Sequence, residues 1–286
     1  MPNEKKKRPT IKIQWRLVPP ILILVGFILT AIFADVLATH NPRGIDLANS
    51  LTPPIWQEGG KAEFPLGTDQ LGRDIMSRLV YGARISLIVV LIGVVGAGGI
   101  GGALGIIAGY KGGWFDTIIS RAVDVMLGFP VILFALVLAI VLGPSMLNVA
   151  IVIILVFWSN YARLARGDTL KAREMDYVTL ARTAGCSELT IMLRHILPNV
   201  LNSLIVMATF NIGIVITLEA SLSFLGAGIP PPTPSWGSMC ADGRSILTSA
   251  WWVSFMPGVI IVMIVLSGNL MGDWLRDRLD PKLQVV

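Results

Sequence analysis

The sequence predicts an all-α, polytopic membrane protein with six transmembrane helices and both termini on the inner side. Three observations predict it. Of the 286 residues, 54% are hydrophobic and 14% charged, with a mean hydropathy of +0.72, whereas soluble domains carry about 25% charged residues. The apolar residues gather into runs of about 20, the length that crosses a bilayer as a helix. Lys and Arg are spread unevenly over the segments between those runs, 17 of the 23 falling on segments assigned to the inner side and 6 on those assigned outside, as the positive-inside rule requires.

Residues 1–17 form a basic cytoplasmic N-terminus holding Lys5, Lys6, Lys7, Arg8, Lys12 and Arg16. The apolar run 18–38 exceeds a secretory h-region and no small-x-small cleavage pattern follows, so it reads as an uncleaved first transmembrane helix. Residues 39–84 are polar and rich in Pro and Gly, an extracytoplasmic segment longer than an ordinary connection. Within it Asp74 is placed to cap a short helix whose Ile75, Met76, Leu79 and Val80 face the membrane, while Asp69, Arg73 and Arg78 are spaced to pair locally.

The second span, 85–107, contains GAGGIG at Gly96 to Gly101. That string matches the dinucleotide fingerprint, but it lies inside an apolar run of 23 residues, not between the strand and the soluble helix of a βαβ unit. Gly98 and Gly102, and Gly101, Gly105 and Gly109, instead recur at intervals of four, the spacing that lets two transmembrane helices approach closely. A short inner loop, 110–121, leads to a third span, 122–142, which Gly128 and Pro130 should kink. Asp124 lies near its inner end, where a solvated carboxylate is the expected state.

A turn at Gly143, Pro144 and Ser145 opens the fourth span, 146–161, with Trp158 and Tyr161 expected at the inner interface. The fifth span, 200–225, carries Asn202, Asn211, Thr217, Glu219 and Ser221, groups that lipid would penalise. For Glu219 a hydrogen bond to a neighbouring helix is the first expectation. Lining of a translocation path by Asn211, Glu219 and Ser221 is the second. In the next external segment, 226–250, Pro230, Pro231, Pro232 and Pro234 exclude helix, and Trp236, Trp251 and Trp252 are expected at headgroup level. The sixth span, 251–272, ends in a cytoplasmic tail, 273–286, with Arg276, Arg278 and Lys282.

Between the fourth and fifth spans, residues 163–199 cannot lie in lipid and belong inside. Tyr177, Leu180, Ala181 and Ala184 fall at i, i+3, i+4, i+7, as do Leu189, Met192, Leu193 and Ile196, which predicts two short amphipathic helices. Gly185 sits where the first would need a left-handed residue, Ser187 can cap the second, and Pro198 should stop it.

This loop resembles the EAA loop of binding-protein-dependent ABC importer permeases, with Thr179, Leu180 and His195 in place of the general consensus glutamate, alanine and isoleucine. DYVTLARTAG followed by RHILPN is similar to the form found in the dipeptide, oligopeptide and nickel branch. So are FPLGTDQLGRDIMSRLVYGARISL, Phe64 to Leu87, and LGAGIPPPTPSWGSM after the fifth span. The resemblance implies a type I ABC importer transmembrane domain over residues 85–272, five helices with 163–199 as the coupling loop. It implies ATPase contact through Tyr177, Thr179, Ala181, Arg182, Ala184 and Gly185, with Leu197 and Pro198 closing the motif. The expected partners are a second homologous permease, two cytoplasmic ATPases that hold ATP and Mg, and an extracytoplasmic substrate-binding protein, all at a bacterial or archaeal inner membrane.

The residues themselves argue against catalysis in this chain. A phosphate-cradling G-x-x-x-x-G-K-[ST] is missing, as are G-x-S-x-G and H-E-x-x-H, and the two histidines, His40 and His195, lie outside the spans. No cofactor or metal is expected on this chain: Cys186 and Cys240 fall in segments on opposite sides. The basic residues are dispersed among apolar spans, which favours membrane lipid over nucleic acid as a partner. The competing classes are an ion-coupled secondary transporter using Asp124 and Glu219, and a channel subunit. The first lacks an evident inverted repeat with broken helices, and both leave the patterned inner loop without a purpose.

Overall fold

A computed structural model describes residues 15–279. The leader from Lys5 to Lys12 and the tail residue Lys282 lie outside the described residues. α1 (Val18–Ile32) starts on Pro19 and Pro20, whose fixed φ suits a first turn with no amide bonds to make. It breaks at Phe33 and resumes as α2 (Ala34–Leu37). The segment that follows is irregular, with one isolated bridge between Thr68 and Asp74.

α3 (Ile75–Lys111) runs for 37 residues, with Asp74 as its N-cap accepting from the Ser77 amide at 2.8 Å. The cap is where the spacing predicts it, but the helix is neither short nor separate from the second span. Nothing between Tyr81 and Leu87 breaks it, and the charge at Arg84 is satisfied laterally by the Asp35 carboxylate (2.9 Å) and the Ala31 carbonyl (2.9 Å).

α4 (Gly113–Leu127) and α5 (Val131–Leu142) replace the kinked third span by two helices meeting at 95°. Phe129 precedes proline and is steered away from α geometry, and Pro130 is extended at ψ 120°. Most of the expected inner loop 110–121 is therefore the first half of α4. It is held on α6 (Met146–Arg173) by Arg166 to Asp116 at 2.7 Å and Arg163 to Asp124 at 3.0 Å. Asp124 is thus ion-paired as well as exposed. α6 continues twelve residues beyond Tyr161, because Ala162, Ala165, Thr169 and Ala172 keep a small buried stripe against its neighbour.

α7 (Asp176–Thr183) and α8 (Glu188–Ile191) follow, then a π-helical turn at Met192–Ile196 and α9 (Leu197–Phe224). Pro198 does not end the helix. It offers no amide to a carbonyl one turn back, and the wide turn, with the Leu197 amide reaching Met192 O, takes up the misfit so that the chain runs on. α10 (Trp236–Gly243) opens with a reciprocal cap between Ser235 and Ser238. α11 (Trp252–Leu279) closes the described chain.

Among the described residues four helices are long and apolar enough to cross a membrane, α3, α6, the continuous run from α8 through α9, and α11, and α4 with α5 makes a fifth if the bent pair counts as one. α1 is a shorter apolar helix. The core sits where α3 lies along α6 and α9 along α11.

At the end of the bundle away from α7, the 39–74 segment, the start of α3 and α10 are locked together by charge. Asp69 accepts from Arg73 at 2.7 Å and from Arg78, and both arginines reach Asp242 of α10 at 3.2 and 3.3 Å. Of the tryptophans expected at headgroup level, Trp251 is half-buried, while Trp236 and Trp252 are anchored inside the protein. Trp236 and Trp252 are 1% and 4% exposed, their indole N–H groups donating to Leu79 O and Thr68 O. Burying the ring is favourable once its one donor finds a carbonyl.

Candidate functional site

At the other end, α7, a turn and α8 project as a small knob. Gly185 adopts φ +79°, its amide bonds Arg182 O, and the Cys186 amide bonds Ala181 O, the paired bonds of a Schellman cap. Ser187 caps α8 through the Thr190 amide. Val178 and Ala181 turn inward, with Ile191, Met192 and Ile196 beneath them. Tyr177, Thr179, Arg182, Ala184, Gly185 and Pro198 are exposed and Leu197 half-buried. The outer surface is apolar: Leu180 is 67% exposed, Leu189 63% and Leu193 54%. The 3.6-residue pattern therefore mixes two faces, grouping buried Ala181 with exposed Tyr177 and Leu180. Val178, the residue most deeply seated, lies outside that pattern and only the fold picks it out.

The knob is tied to the bundle by polar side chains. Asn199 Nδ2 donates to the Tyr177 hydroxyl at 3.0 Å and to His195 O at 2.7 Å. The Arg182 guanidinium lies 5.8 Å over the Tyr110 ring at the end of α3, and Arg173 donates to the Gly109 and Tyr110 carbonyls at 3.2 and 3.4 Å. Sequence reading passed over Tyr110, Arg173 and Asn199 as contacts. The available signal was an arginine closing α6 and an asparagine one turn into α9.

Above the knob, the glycines of α3 meet α6. A Cβ on Gly101 or Gly105 would collide with the Trp158 or Ala162 carbonyl, and one on Gly109 would stand 2.8 Å from Thr169 Cβ. Gly98 faces the Tyr161 ring and Gly102 faces Leu204 of α9. Tyr161, expected at an interface, is instead 1% exposed within this seam.

α9 carries the polar residues of the fifth span on two faces. Asn211 and Glu219 point inward, Glu219 accepting from Ser223 Oγ at 2.9 Å and, across to α3, from Ser86 Oγ at 3.4 Å. Ser221 and Thr217 line an open cleft of about 250 Å³ with Val131, Ile132, Gly213 and Asn269, formed by α5, α9 and α11. The structure thus separates the three residues grouped as pathway candidates: Ser221 faces the cleft, while Asn211 and Glu219 are packed inside. Thr217 and Ser221 donate to carbonyls four residues back, leaving their oxygens as acceptors.

Residues 101–285 match the model of the binding-protein-dependent transport system inner membrane component. The chain belongs to that family. It is a multi-pass membrane protein, the permease subunit of an ABC importer. The dipeptide transport system permease protein DppC of Escherichia coli is 48% identical over 263 residues, 92% of this chain and 87% of its own length. The di/tripeptide transport system permease protein DppC of Pseudomonas aeruginosa is 43% identical over 264 residues, again 92% and 87% of the two chains. The probable D,D-dipeptide transport system permease protein DdpC of Escherichia coli is 39% identical over 98% of this chain and 94% of its own.

Among solved structures, the inward-facing MetNI methionine ABC transporter superposes with a TM-score of 0.57 at 17% identity, over 72% of this chain and 98% of that one. An amino acid ABC transporter with histidines gives 0.50 at 14% identity, over 70% and 94%. These two likenesses speak for the fold alone. In this permease the stretch before residue 101, with α1, α2, the 39–74 segment and most of α3, precedes the family match. The relatives named above, which cover 92% to 98% of this chain, extend over most of it.

Proposed function

We propose that the chain forms half of the membrane pathway of an ATP-driven importer for dipeptides, longer peptides or related small solutes such as nickel complexes. In this reading α1, α3, the bent α4–α5 pair, α6, α8–α9 and α11 count as six spans, with residues 1–17 and 273–286 on the cytoplasmic side and 39–74 and α10 outside. The α7–α8 knob then meets a cytoplasmic ATPase through Tyr177, Thr179, Ala184 and Gly185, with Arg182 beside them. Ala181, Leu197 and Pro198 shape its base. ATP and Mg are held by two such ATPases, a second homologous permease supplies the other half of the path, and an extracytoplasmic binding protein delivers the solute.

The observation that carries this reading is the apolar outer surface of the knob, set on a short rigid turn within the coupling motif. Among the described residues Leu180, Leu189 and Leu193 are left exposed together on a segment that cannot lie in lipid, and a patch of that kind marks a surface that a partner covers. Closure of the ATPases moves the knob, and the spans exchange between inward and outward openings. The test is uptake of a labelled dipeptide by proteoliposomes holding the whole assembly. ATP inside the lumen-equivalent of the cytoplasm drives uptake, and collapse of proton and sodium gradients leaves it unchanged. Uptake that follows an ion gradient without ATP would instead assign an ion-coupled carrier.

A further inference from the structure

The knob is seated on the bundle by few buried groups. Of the eight residues of α7, Val178 and Ala181 alone are buried, and apolar contact of that kind holds without fixing direction. Directional contacts come from two places. On one side, Arg182 lies over the Tyr110 ring, at a helix end that Arg173 already grips by two carbonyls. On the other, the Tyr177 hydroxyl accepts from Asn199, the third residue of α9.

The second contact bridges a weak point in the chain. Between α8 and α9 lies the π turn Met192–Ile196, followed at once by Pro198, a stretch whose bonds are wider and whose ladder lacks one donor. A push on α7 and α8 would be absorbed there if nothing spanned the joint. Asn199 spans it, holding Tyr177 on one side and His195 O on the other, with the two rings 6.4 Å apart.

The bodies beyond the two contacts differ. α3 is seated against α6 at Gly101, Gly105 and Gly109, so the two form one closely packed unit. α9 carries Thr217 and Ser221 into the cleft. We propose that Tyr177–Asn199 and Arg182–Tyr110 are the two tethers that deliver displacement of α7 to the spans, the first to α9 across the π joint and the second to the α3–α6 pair. They are positioning residues, touching neither nucleotide nor solute, and this inference rests on the ATPase-docking reading above.

The test uses the full complex in proteoliposomes and reads dipeptide moved per ATP hydrolysed. Asn199→Leu keeps the side-chain shape and removes the donor, and Tyr110→Leu removes the ring. Each lowers that ratio roughly threefold to tenfold, the worth of one hydrogen bond or cation–π contact, while ATPase subunits co-purify at wild-type stoichiometry and hydrolysis continues. Tyr110→Phe, which keeps the ring, retains the ratio. An unchanged ratio in both variants with full assembly overturns the tethers, as does a loss of uptake that only tracks lost ATPase. A wild-type permease that never retains an ATPase overturns the docking reading, and the tethers with it.

Discussion

Replacing Asp69 by Asn isolates what charge does at the junction of the 39–74 segment, α3 and α10. The side chains of Asp69, Arg78 and Arg73 are 1%, 3% and 10% exposed. Asp69 also accepts from the Leu71 and Arg73 amides at 2.9 and 3.0 Å. Asn fills the same volume, keeps one oxygen for those amides, and turns its NH2 toward two guanidinium groups. No cavity forms, so the change is electrostatic. Breaking a buried pair by removing one partner costs about 3–5 kcal/mol. Here Asp242, 40% exposed, still serves both arginines, which places the loss near the lower end, about 3 kcal/mol.

For a chain of this size that corresponds to a fall in melting temperature on the order of 10 °C, read by thermal unfolding of the purified protein in detergent. Asp35→Asn is the matched control. Asp35 pairs with Arg84 at 2.9 Å on an exposed surface, 67% open, where screening leaves an ion pair little weight, and its melting curve overlays wild type. The reasoning is refuted if Asp69→Asn melts within about 2 °C of wild type, or if Asp35→Asn falls as far.

Gly105→Leu drives a side chain into the Ala162 carbonyl and destabilises the α3–α6 pair by about 1–3 kcal/mol or more; lower yield of folded protein reports it, with Gly99→Ala, which meets nothing within 4 Å, as the neutral partner. Trp236→Phe removes the bond to Leu79 O and leaves a small void, about 1–2 kcal/mol together, visible as a modest shift in the same melting assay. Gly185→Arg enters open space but at φ +79°, a conformation that costs an L residue about 1–2 kcal/mol. Uptake is lost while the protein still fractionates with membranes, and normal uptake would remove the turn from the mechanism. Cys186 is exposed on the knob; a membrane-impermeant maleimide labels it in inside-out vesicles and leaves it unlabelled in right-side-out ones, and the reverse pattern would invert the proposed orientation.

Much of the candidate site was legible because local chemistry writes it into short stretches. Gly185 is needed where the chain must turn left-handed, Ser187 and Asp74 offer oxygens to the first free amides of their helices, and glycines every fourth residue mark a close helix approach. Each of these depends on neighbours within a turn or two of helix. Four long apolar helices were legible for the same reason, since lipid solubility sums over consecutive residues. Element ends were not. The second span runs back to Ile75, a stretch where Trp236 of α10 bonds Leu79 O and packs against Gly82, a partner that no window of sequence contains.

Composition and apolar run length by themselves determined that this is a helical membrane protein, and the short motifs determined its family and the place of its knob. Tertiary structure alone decided that Pro130 breaks the chain through 95° while Pro198 is absorbed by a π turn. It also decided that Trp236 and Tyr161 are buried, that Ser221 faces a cleft while Glu219 does not, and that Asp242 completes the charge cluster of Asp69. The physical reason is the range of the interactions. Propensity, capping and hydropathy act along the chain within a few residues, whereas ion pairing, packing and the satisfaction of buried polar groups act through space, between residues as far apart in sequence as Arg73 and Asp242.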